Sequence, residues 1–203
     1  DLTGGMIDQL PDLSLCPESG RAFQGQPGLV LSDGSGATLH PRFTFSHADA
    51  TAGQINLHAV SGGLTLSHRV TAHHTGVFTL QTTLTSDLPI RVQWLAAPVL
   101  PAPQLADEMI DIAGKWIGEF QLNTTPWAPG IRLRESRTGR SGHEHPPYLI
   151  LPERGCSKTQ GTAFALQYAW SGGHRMIAEQ LPDGRRQIQF GHAVGAMTAP
   201  ATQ

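Results

Sequence analysis

Residues 64–84 read LTLSHRVTAHHTGVFTLQTTL, and this stretch decides the fold class. Two runs in it, 64–70 and 78–84, alternate apolar and polar side chains with a period of two, which is typical of half-buried β-strands. Residues 73–76 between them have the composition of a tight turn. The stretch therefore predicts a β-hairpin with one face toward a core, formed by Leu64, Leu66, His68 and Val70 from the first run and by Phe78, Leu80 and Leu84 from the second.

Short alternating runs continue on both sides of this hairpin, and turn residues separate them. Further runs lie at 29–31, 90–100, 116–122, 131–135, 162–170, 174–180 and 187–190, with Asp33-Gly34 and Asp183-Gly184 as tight turns. Short strands with turns every 8–12 residues predict an all-β protein, a large antiparallel β-sandwich with little or no helix. Residues 104–113 are the only candidate for a helical turn, which Gly114 would end. We expect a single domain over 1–192, with 193–203 as a tail or linker.

The composition of the chain excludes several classes of function. Of its 203 residues, 39% are hydrophobic and 15% charged, and the formal net charge is −2. No broad basic field is present, so we expect no nucleic-acid partner and no membrane partner. The sequence contains no run of 18 apolar residues, which excludes a membrane-spanning helix. Cys16 and Cys156 are too few for a disulfide framework or a zinc site, which favours a reducing compartment and a cytoplasmic location. We expect no cofactor.

The densest polar segment covers residues 132–147. Its arginines could clamp an anion, but such clusters more often pair with carboxylates, here Glu119 or Glu135. His143 and His145 could bind a metal from one face of a strand; no third ligand is specified, so a loop with hydrogen-bonded histidines is favoured and no metal site is expected. We assign a possible interface or site role to the loop residues Arg134, Glu135, Arg137, Arg140, His143 and Glu144.

Catalytic groups are weakly supported by the sequence. No nucleophile elbow follows a strand, and the carboxylates that could form an acid pair have no spacing that brings two together. Trp116 and Trp170 lie on alternating strands, where a core position is the default. Trp127 lies between prolines, and we expect it to be the exposed tryptophan and a candidate for sugar binding. The carboxylates considered were Asp107, Glu108, Asp111, Glu119, Glu135 and Glu144.

Several motifs of the second half resemble the N-terminal domains of glycoside hydrolase family 36 α-galactosidases. The first is Trp116-Ile-Gly-Glu119-Phe120, and the second is Arg134-Glu-Ser-Arg-Thr-Gly-Arg-Ser-Gly-His143-Glu144. The resemblance extends more weakly over 27–100 and covers most of the chain. The remaining matching segments are Pro147-Tyr-Leu-Ile-Leu151, Gln160-Gly161, Tyr168-Ala-Trp170-Ser-Gly-Gly-His-Arg175, Asp183-Gly-Arg-Arg186 and Gln189-Phe-Gly191.

The resemblance implies a β-supersandwich related to galactose mutarotase-like domains, placed before a (β/α)₈ barrel that carries two catalytic aspartates. No residue here matches the barrel motifs, so no catalytic residue is assigned. The implied partners are the catalytic barrel of the same polypeptide, further copies in a homo-oligomer, and a galacto-oligosaccharide such as raffinose or melibiose as the parent's substrate. The family's first strands have no counterpart, so the sandwich is expected to be incomplete at its N-terminal edge. Asp8 is the candidate remnant of a loop that reaches a neighbour's active site.

Two alternative functions remain open from the sequence. The chain could be a stand-alone carbohydrate-binding module, with Trp127 and the arginine-rich loop contacting sugar. It could also be an aldose-epimerase-like enzyme that uses His143 and a carboxylate as acid and base. Both share the predicted fold with the scaffold interpretation, so the positions of these side chains decide between them.

Overall fold

The computed structural model describes residues 12–193 and consists almost entirely of β-strands. The single helical element among these residues is a 3₁₀ turn, Ser19–Arg21, so the predicted all-β class is confirmed. No helix in the described part is long and apolar enough to cross a membrane. The strands are β1 (Leu29–Asp33), β2 (Thr38–Leu39), β3 (Thr44–Thr51), β4 (Gln54–Ser61), β5 (Leu64–Ala72), β6 (Phe78–Ser86), β7 (Ile90–Leu95), β8 (Leu100–Pro101), β9 (Glu108–Lys115), β10 (Gly118–Pro126), β11 (Gly130–Ser136), β12 (Tyr148–Pro152), β13 (Ala163–Gln167), β14 (His174–Gln180) and β15 (Arg186–His192).

The strands form four antiparallel sheets. Sheet 1 has the order β2-β1-β7, sheet 2 the order β3-β4-β5-β6, sheet 3 the order β10-β9-β12-β13, and sheet 4 the order β11-β14-β15-β8. Sheets 3 and 4 face each other across the largest core cluster, because alternate residues of their strands point inward. This core contains Met109, Leu149 and Leu151 from sheet 3, and Met176, Ala178, Ile188 and Phe190 from sheet 4.

The opposite face of sheet 4 packs on sheet 1 through a buried polar network. Gln187 and Gln189 are fully buried, and a buried amide avoids a desolvation cost by hydrogen bonding, which Gln187 does through Nε2 while its Oε1 has no partner in the described part of the chain. Trp94 Nε1 donates to Gln189 Oε1 at 2.7 Å, and Gln187 Nε2 donates to Glu179 Oε2 at 2.7 Å. Both glutamines also donate to the carbonyl of Gln26. The network therefore fixes how the loop before β1 sits on sheet 4.

The hairpin predicted at 64–84 is confirmed as β5 and β6, but Phe78, predicted on the core face, is 62% exposed because it lies at the end of the strand pair, beyond the core. Leu66 lies opposite Leu84, and Gly76 closes the turn with a φ of +82°, a conformation that glycine adopts without strain. Buried residues of this sheet join a second core cluster with Leu29, Leu31 and Phe43. His68, on the same face, is buried, and this burial lowers its pKa to about 4.

The helical turn suggested at 104–113 is wrong, because most of this segment belongs to β9. β9 pairs with β10 on one side and with β12 on the other. Its inward positions are the buried Met109 and Asp111, while Ile110 and Ile112 alternate outward. Gly114 lies within the strand instead of ending a helix. The tight turns at Asp33-Gly34 and Asp183-Gly184 are confirmed by their backbone hydrogen bonds.

The predicted boundary between a domain at 1–192 and a tail at 193–203 stays a prediction. Ala193 is buried, and its amide donates to the carbonyl of Gly173 at 3.2 Å. Residues 194–203 lie outside the described part of the chain.

Candidate functional site

The arginine-rich segment meets a buried carboxylate between sheets 3 and 4. Arg132 and Arg134 lie opposite Ala178 and Met176 on β14, so they point into the sandwich with those core residues. Asp111, only 2% exposed, faces them from β9. Its carboxylate accepts hydrogen bonds from Arg132 Nε at 3.0 Å and from Arg134 Nε and Nη2 at 3.2 Å each. Asn123 on β10 completes the cluster by donating to Asp111 Oδ1.

This Asp111 cluster, formed by Asp111, Asn123, Arg132 and Arg134, is an internal ion-pair network. Burial alone would raise the pKa of Asp111, but the hydrogen bonds and charges of the two arginines outweigh burial, and the pKa is lowered. Both guanidinium groups are thereby engaged by protein. The prediction that arginines of this segment pair with carboxylates is confirmed, although Arg132 and Arg134 pair with Asp111 and not with Glu119.

The Glu119 carboxylate instead accepts a hydrogen bond from the backbone amide of Ile117 at 3.1 Å. Glu135, the other predicted partner, does pair with arginines, and it lies on the outer side of β11. Arg175 Nε donates to Glu135 Oε1 at 2.7 Å, and Arg137 donates to Oε2. Burial would raise the pKa of Glu135, but Arg137 and Arg175 lower it overall. The Arg175 guanidinium also lies 5.5 Å from the ring of Trp94.

The metal alternative places His143 and His145 on one face of a strand. In the structure, both histidines lie in a bend. His143 Nε2 is 3.4 Å from Glu144 Oε1, next to it in sequence. His145 Nδ1 is buried with no hydrogen-bond partner among residues 12–193, and burial followed by the charge of Arg134 lowers the pKa of His145. Arg140 is exposed, and its carbonyl accepts from Ser136 Oγ at 3.0 Å. The loop is also tied to the segment before β14, because the Ser141 amide donates to the carbonyl of Ser171 at 2.6 Å and the Ser141 hydroxyl donates to the carbonyl of Trp170 at 3.1 Å.

The tryptophans lie in positions opposite to those expected. Trp127, expected to be exposed, packs against the main core, and the Arg186 guanidinium covers one face of its ring at 5.3 Å. Trp116 and Trp170, expected in the core, are 76% and 43% exposed. Sugar binding by Trp127 stays a prediction, with one ring face already covered. Asp8, the other predicted sugar contact, lies outside the described residues.

The turn between β9 and β10 is the feature that the sequence did not reveal. Trp116, Ile117 and Phe120, here called the hairpin tip, are 76%, 85% and 71% exposed. Ile117 and Phe120 adopt left-handed φ angles of +62° and +56°. Such angles cost a β-branched or aromatic residue free energy, and strain of this kind concentrates at functional positions. The strained, apolar tip is therefore the best candidate for a contact surface.

Gly114 makes this turn possible. A Cβ atom at residue 114 would lie 2.7 Å from Glu119 Cα and 2.8 Å from the carbonyl oxygen of Gly118. The register of β9 against β10 shifts between Gly118 and Gln121, which is a β-bulge. The bulge breaks the simple alternation and turns Phe120 to the solvent.

Comparisons with protein families, with curated proteins and with solved structures all lead to the same family. The family model described as the glycosyl hydrolase family 36 N-terminal domain matches residues 6–196. An α-galactosidase of Escherichia coli is 30% identical over 194 residues, which are 93% of this chain and 27% of that protein. In fold, the chain is similar to the α-galactosidase AgaB of Geobacillus stearothermophilus, with a TM-score of 0.78, 18% identity, and coverage of 87% of this chain and 28% of that one.

The α-galactosidase of Lactobacillus brevis gives the same TM-score of 0.78 at 18% identity, with coverage of 93% of this chain and 30% of that one. This chain thus spans between a quarter and a third of the length of these relatives.

Proposed function

Because the chain belongs to the glycosyl hydrolase family 36 N-terminal domains, we propose that it is the non-catalytic domain of an α-galactosidase. In this proposal the chain packs on a catalytic barrel of the same polypeptide and hydrolyses nothing by itself. The match over residues 6–196 and the greater length of the curated relatives support it. The antiparallel sandwich supports it as well, since the barrel architecture needs about 250 residues of alternating strands and helices.

The single observation that carries the docking role is the hairpin tip. Full burial of a large apolar side chain contributes about 1.5–3 kcal/mol, and the tip offers three such side chains to solvent. Ile117 and Phe120 are also held in unfavourable backbone conformations. A contact that buries all three would offset this strain. The catalytic barrel is the occupant that we propose.

The pKa values and pairing of the carboxylates support a non-catalytic role for this chain. A glycosidase general acid needs a raised pKa, whereas the pKa values of Asp111, Glu119 and Glu135 are lowered. The Asp107 carboxylate is paired with Arg154. His143, the proposed base of an epimerase, lies beside Glu144 on an open loop. Asp107, Asp111 and Glu135 thus serve as ion-pair partners of arginines, while Glu119 accepts a hydrogen bond from the backbone of its own turn.

The direct test is hydrolysis of a chromogenic α-galactoside by the 203-residue chain, with the full-length gene product as the positive control. We expect product release equal to the blank from the chain and turnover from the full-length protein. Turnover by the chain alone would contradict the non-catalytic role. Titration calorimetry with galactose, melibiose and raffinose tests the binding-module alternative, for which saturable binding at millimolar concentration or below is expected.

We further propose that the parent protein removes terminal α-linked galactose from galacto-oligosaccharides. Crystal structures of AgaA variants of Geobacillus stearothermophilus hold raffinose and stachyose, which supports this substrate class. The test is release of galactose from raffinose and melibiose by the full-length protein. Equal rates on β-linked galactosides would contradict the proposal.

Homo-oligomer formation and a cytoplasmic location are proposed on separate grounds. On the core-facing side of sheet 2, Ile55 and Phe78 are exposed toward one end and Phe45 is exposed on the edge strand β3 toward the other, and another subunit could cover this side. Sedimentation of the full-length protein with Phe78→Ser tests this surface, and a smaller assembly is expected.

Cys16 and Cys156 are both free, as in a reducing compartment, and cell fractionation tests the location.

A further inference from the structure

A cluster of metal-ligand side chains lies on the polar face of sheet 2, away from the hairpin tip. His47 and Asp49 alternate along β3, and His58 on β4 lies directly opposite His47. A register shift between Phe45 and His47 brings these two histidines opposite each other. One ligand atom from each of the three residues can be chosen so that all lie within 4.8 Å of one another.

The distances within this cluster suit a small cation better than direct hydrogen bonds. His47 Nε2 and His58 Nε2 lie 3.7 Å and 3.6 Å from Asp49 Oδ2, too far for a hydrogen bond. Tetrahedral zinc holds nitrogen and oxygen ligands at about 2.0–2.2 Å, which places neighbouring ligand atoms about 3.4 Å apart. Both histidine–aspartate distances are within a few tenths of an ångström of this value, and a rotation of the two stacked imidazole rings that points both Nε2 lone pairs at one ion would close the site.

The other ring nitrogens of both histidines are already engaged. His58 Nδ1 is 2.8 Å from the hydroxyl of Ser67, and His47 Nδ1 is 3.1 Å from the hydroxyl of Ser46. The rings stack with centroids 4.4 Å apart and an interplanar angle of 8°. Hydrogen bonds at the second nitrogen orient metal-binding histidines in known sites. Here they leave both Nε2 atoms on the side of Asp49.

We propose that His47, Asp49 and His58 form a surface site for Zn²⁺ or a similar divalent transition metal. Two imidazoles and one carboxylate suit zinc, cobalt or nickel, whereas calcium and magnesium prefer oxygen ligands. Three protein ligands leave a fourth position that water occupies on this exposed face. Because β3 is the edge strand of sheet 2, the metal joins this edge to β4.

The experiment is isothermal titration of the 203-residue chain with ZnCl₂, with Co²⁺ absorption in the visible range as a second readout. We expect one metal per chain, a dissociation constant of micromolar order, and a tetrahedral cobalt spectrum. Asp49→Asn and His58→Ala each weaken binding at least about tenfold, since loss of one of three ligands removes a large part of the affinity. Asp49 is exposed and His58 is half-buried, so circular dichroism checks that each variant keeps the fold.

Two control variants separate this site from other histidines. His74→Ala removes an exposed histidine from the far turn of the same sheet, and His143→Ala removes the histidine of the arginine-rich loop. Both keep wild-type affinity if the proposal is right. The absence of saturable Zn²⁺ binding overturns it, and so does binding that survives Asp49→Asn and His58→Ala but is lost in either control. Equal affinity for Ca²⁺ or Mg²⁺ contradicts the assigned class of metal.

Discussion

Replacement of Asp111 by asparagine tests the ion-pair network between sheets 3 and 4. Asn keeps the size of Asp but removes its charge, which leaves the guanidinium groups of Arg132 and Arg134 without a counter-ion. These side chains are 24% and 26% exposed, and that of Asp111 is 3% exposed. Removal of one partner of a buried ion pair costs about 3–5 kcal/mol. The arginines keep some water contact, so we expect Asp111→Asn to lower the free energy of unfolding by about 3 kcal/mol.

Urea unfolding followed by tryptophan fluorescence measures this loss, with Asp107→Asn as the matched control. Asp107 pairs with Arg154 on the surface, where the two side chains are 43% and 78% exposed. The same chemical change there should cost less than about 0.5 kcal/mol, because an exposed ion pair contributes little. If the two variants differ by less than about 0.5 kcal/mol, the network does not hold the sheets together.

The same variant has an expected pH dependence. The pKa of Asp111 is lowered in the folded state, so its contribution is complete above the unfolded pKa, near 3.8, and is lost as pH falls through the folded pKa. The stability difference between wild type and Asp111→Asn should therefore shrink steadily below pH 3.8. A difference that stays constant into strong acid would refute the electrostatic explanation.

Three further variants or probes address the hairpin tip and the thiols. Gly114→Ala should lower stability by about 2 kcal/mol because the added Cβ meets backbone atoms of the turn, while Gly118→Ala, with ordinary contacts, should change urea unfolding by less than about 0.5 kcal/mol. Ile117→Gly should raise the stability of the isolated chain by about 1 kcal/mol in the same assay, since glycine relieves the left-handed strain; destabilisation would contradict this. Burial raises the pKa of Cys16 to about 12, so a thiol reagent should react quickly with the half-buried Cys156 alone, and with Cys16 only after unfolding. Two fast-reacting thiols in the native chain would be inconsistent with this burial.

Local sequence pattern was sufficient where hairpins are closed by tight turns. The strands at 64–84 and the turn at Asp183-Gly184 follow from period-two alternation and turn residues alone. Residues 104–113 depart from the predicted helical turn because Met109 to Ile112 fit a short strand as well as a helical turn. Pairing of β9 with β10 and β12 decided in favour of the strand.

The Asp111 cluster could not be predicted, because it depends on which sheets face each other. Asp111 and Arg134 are far apart in the chain, and only the stacking of sheets 3 and 4 brings them together. The exposure of Trp116 was missed for a related reason. It belongs to the turn before β10, and the following β-bulge ends the alternation that predicted a core position.

The spacing of His47, Asp49 and His58 in the sequence indicates the ligand cluster on sheet 2, but only once the pairing of β3 with β4 is known. His47-Ala-Asp49 followed by His58 becomes a ligand set only when the turn at 51–54 fixes the register of β3 against β4. A strand pair places side chains of one face together when their register is known. Register was the missing information.

Hydroxyl-radical footprinting of Trp116 in the isolated chain and in the full-length gene product tests the docking role most directly. Trp116 should be heavily oxidised in the chain alone, where it is 76% exposed. In the full-length protein its oxidation should fall several-fold once the barrel covers the tip. Equal oxidation in both proteins would show that the tip stays in water, and would contradict the docking of this domain through it.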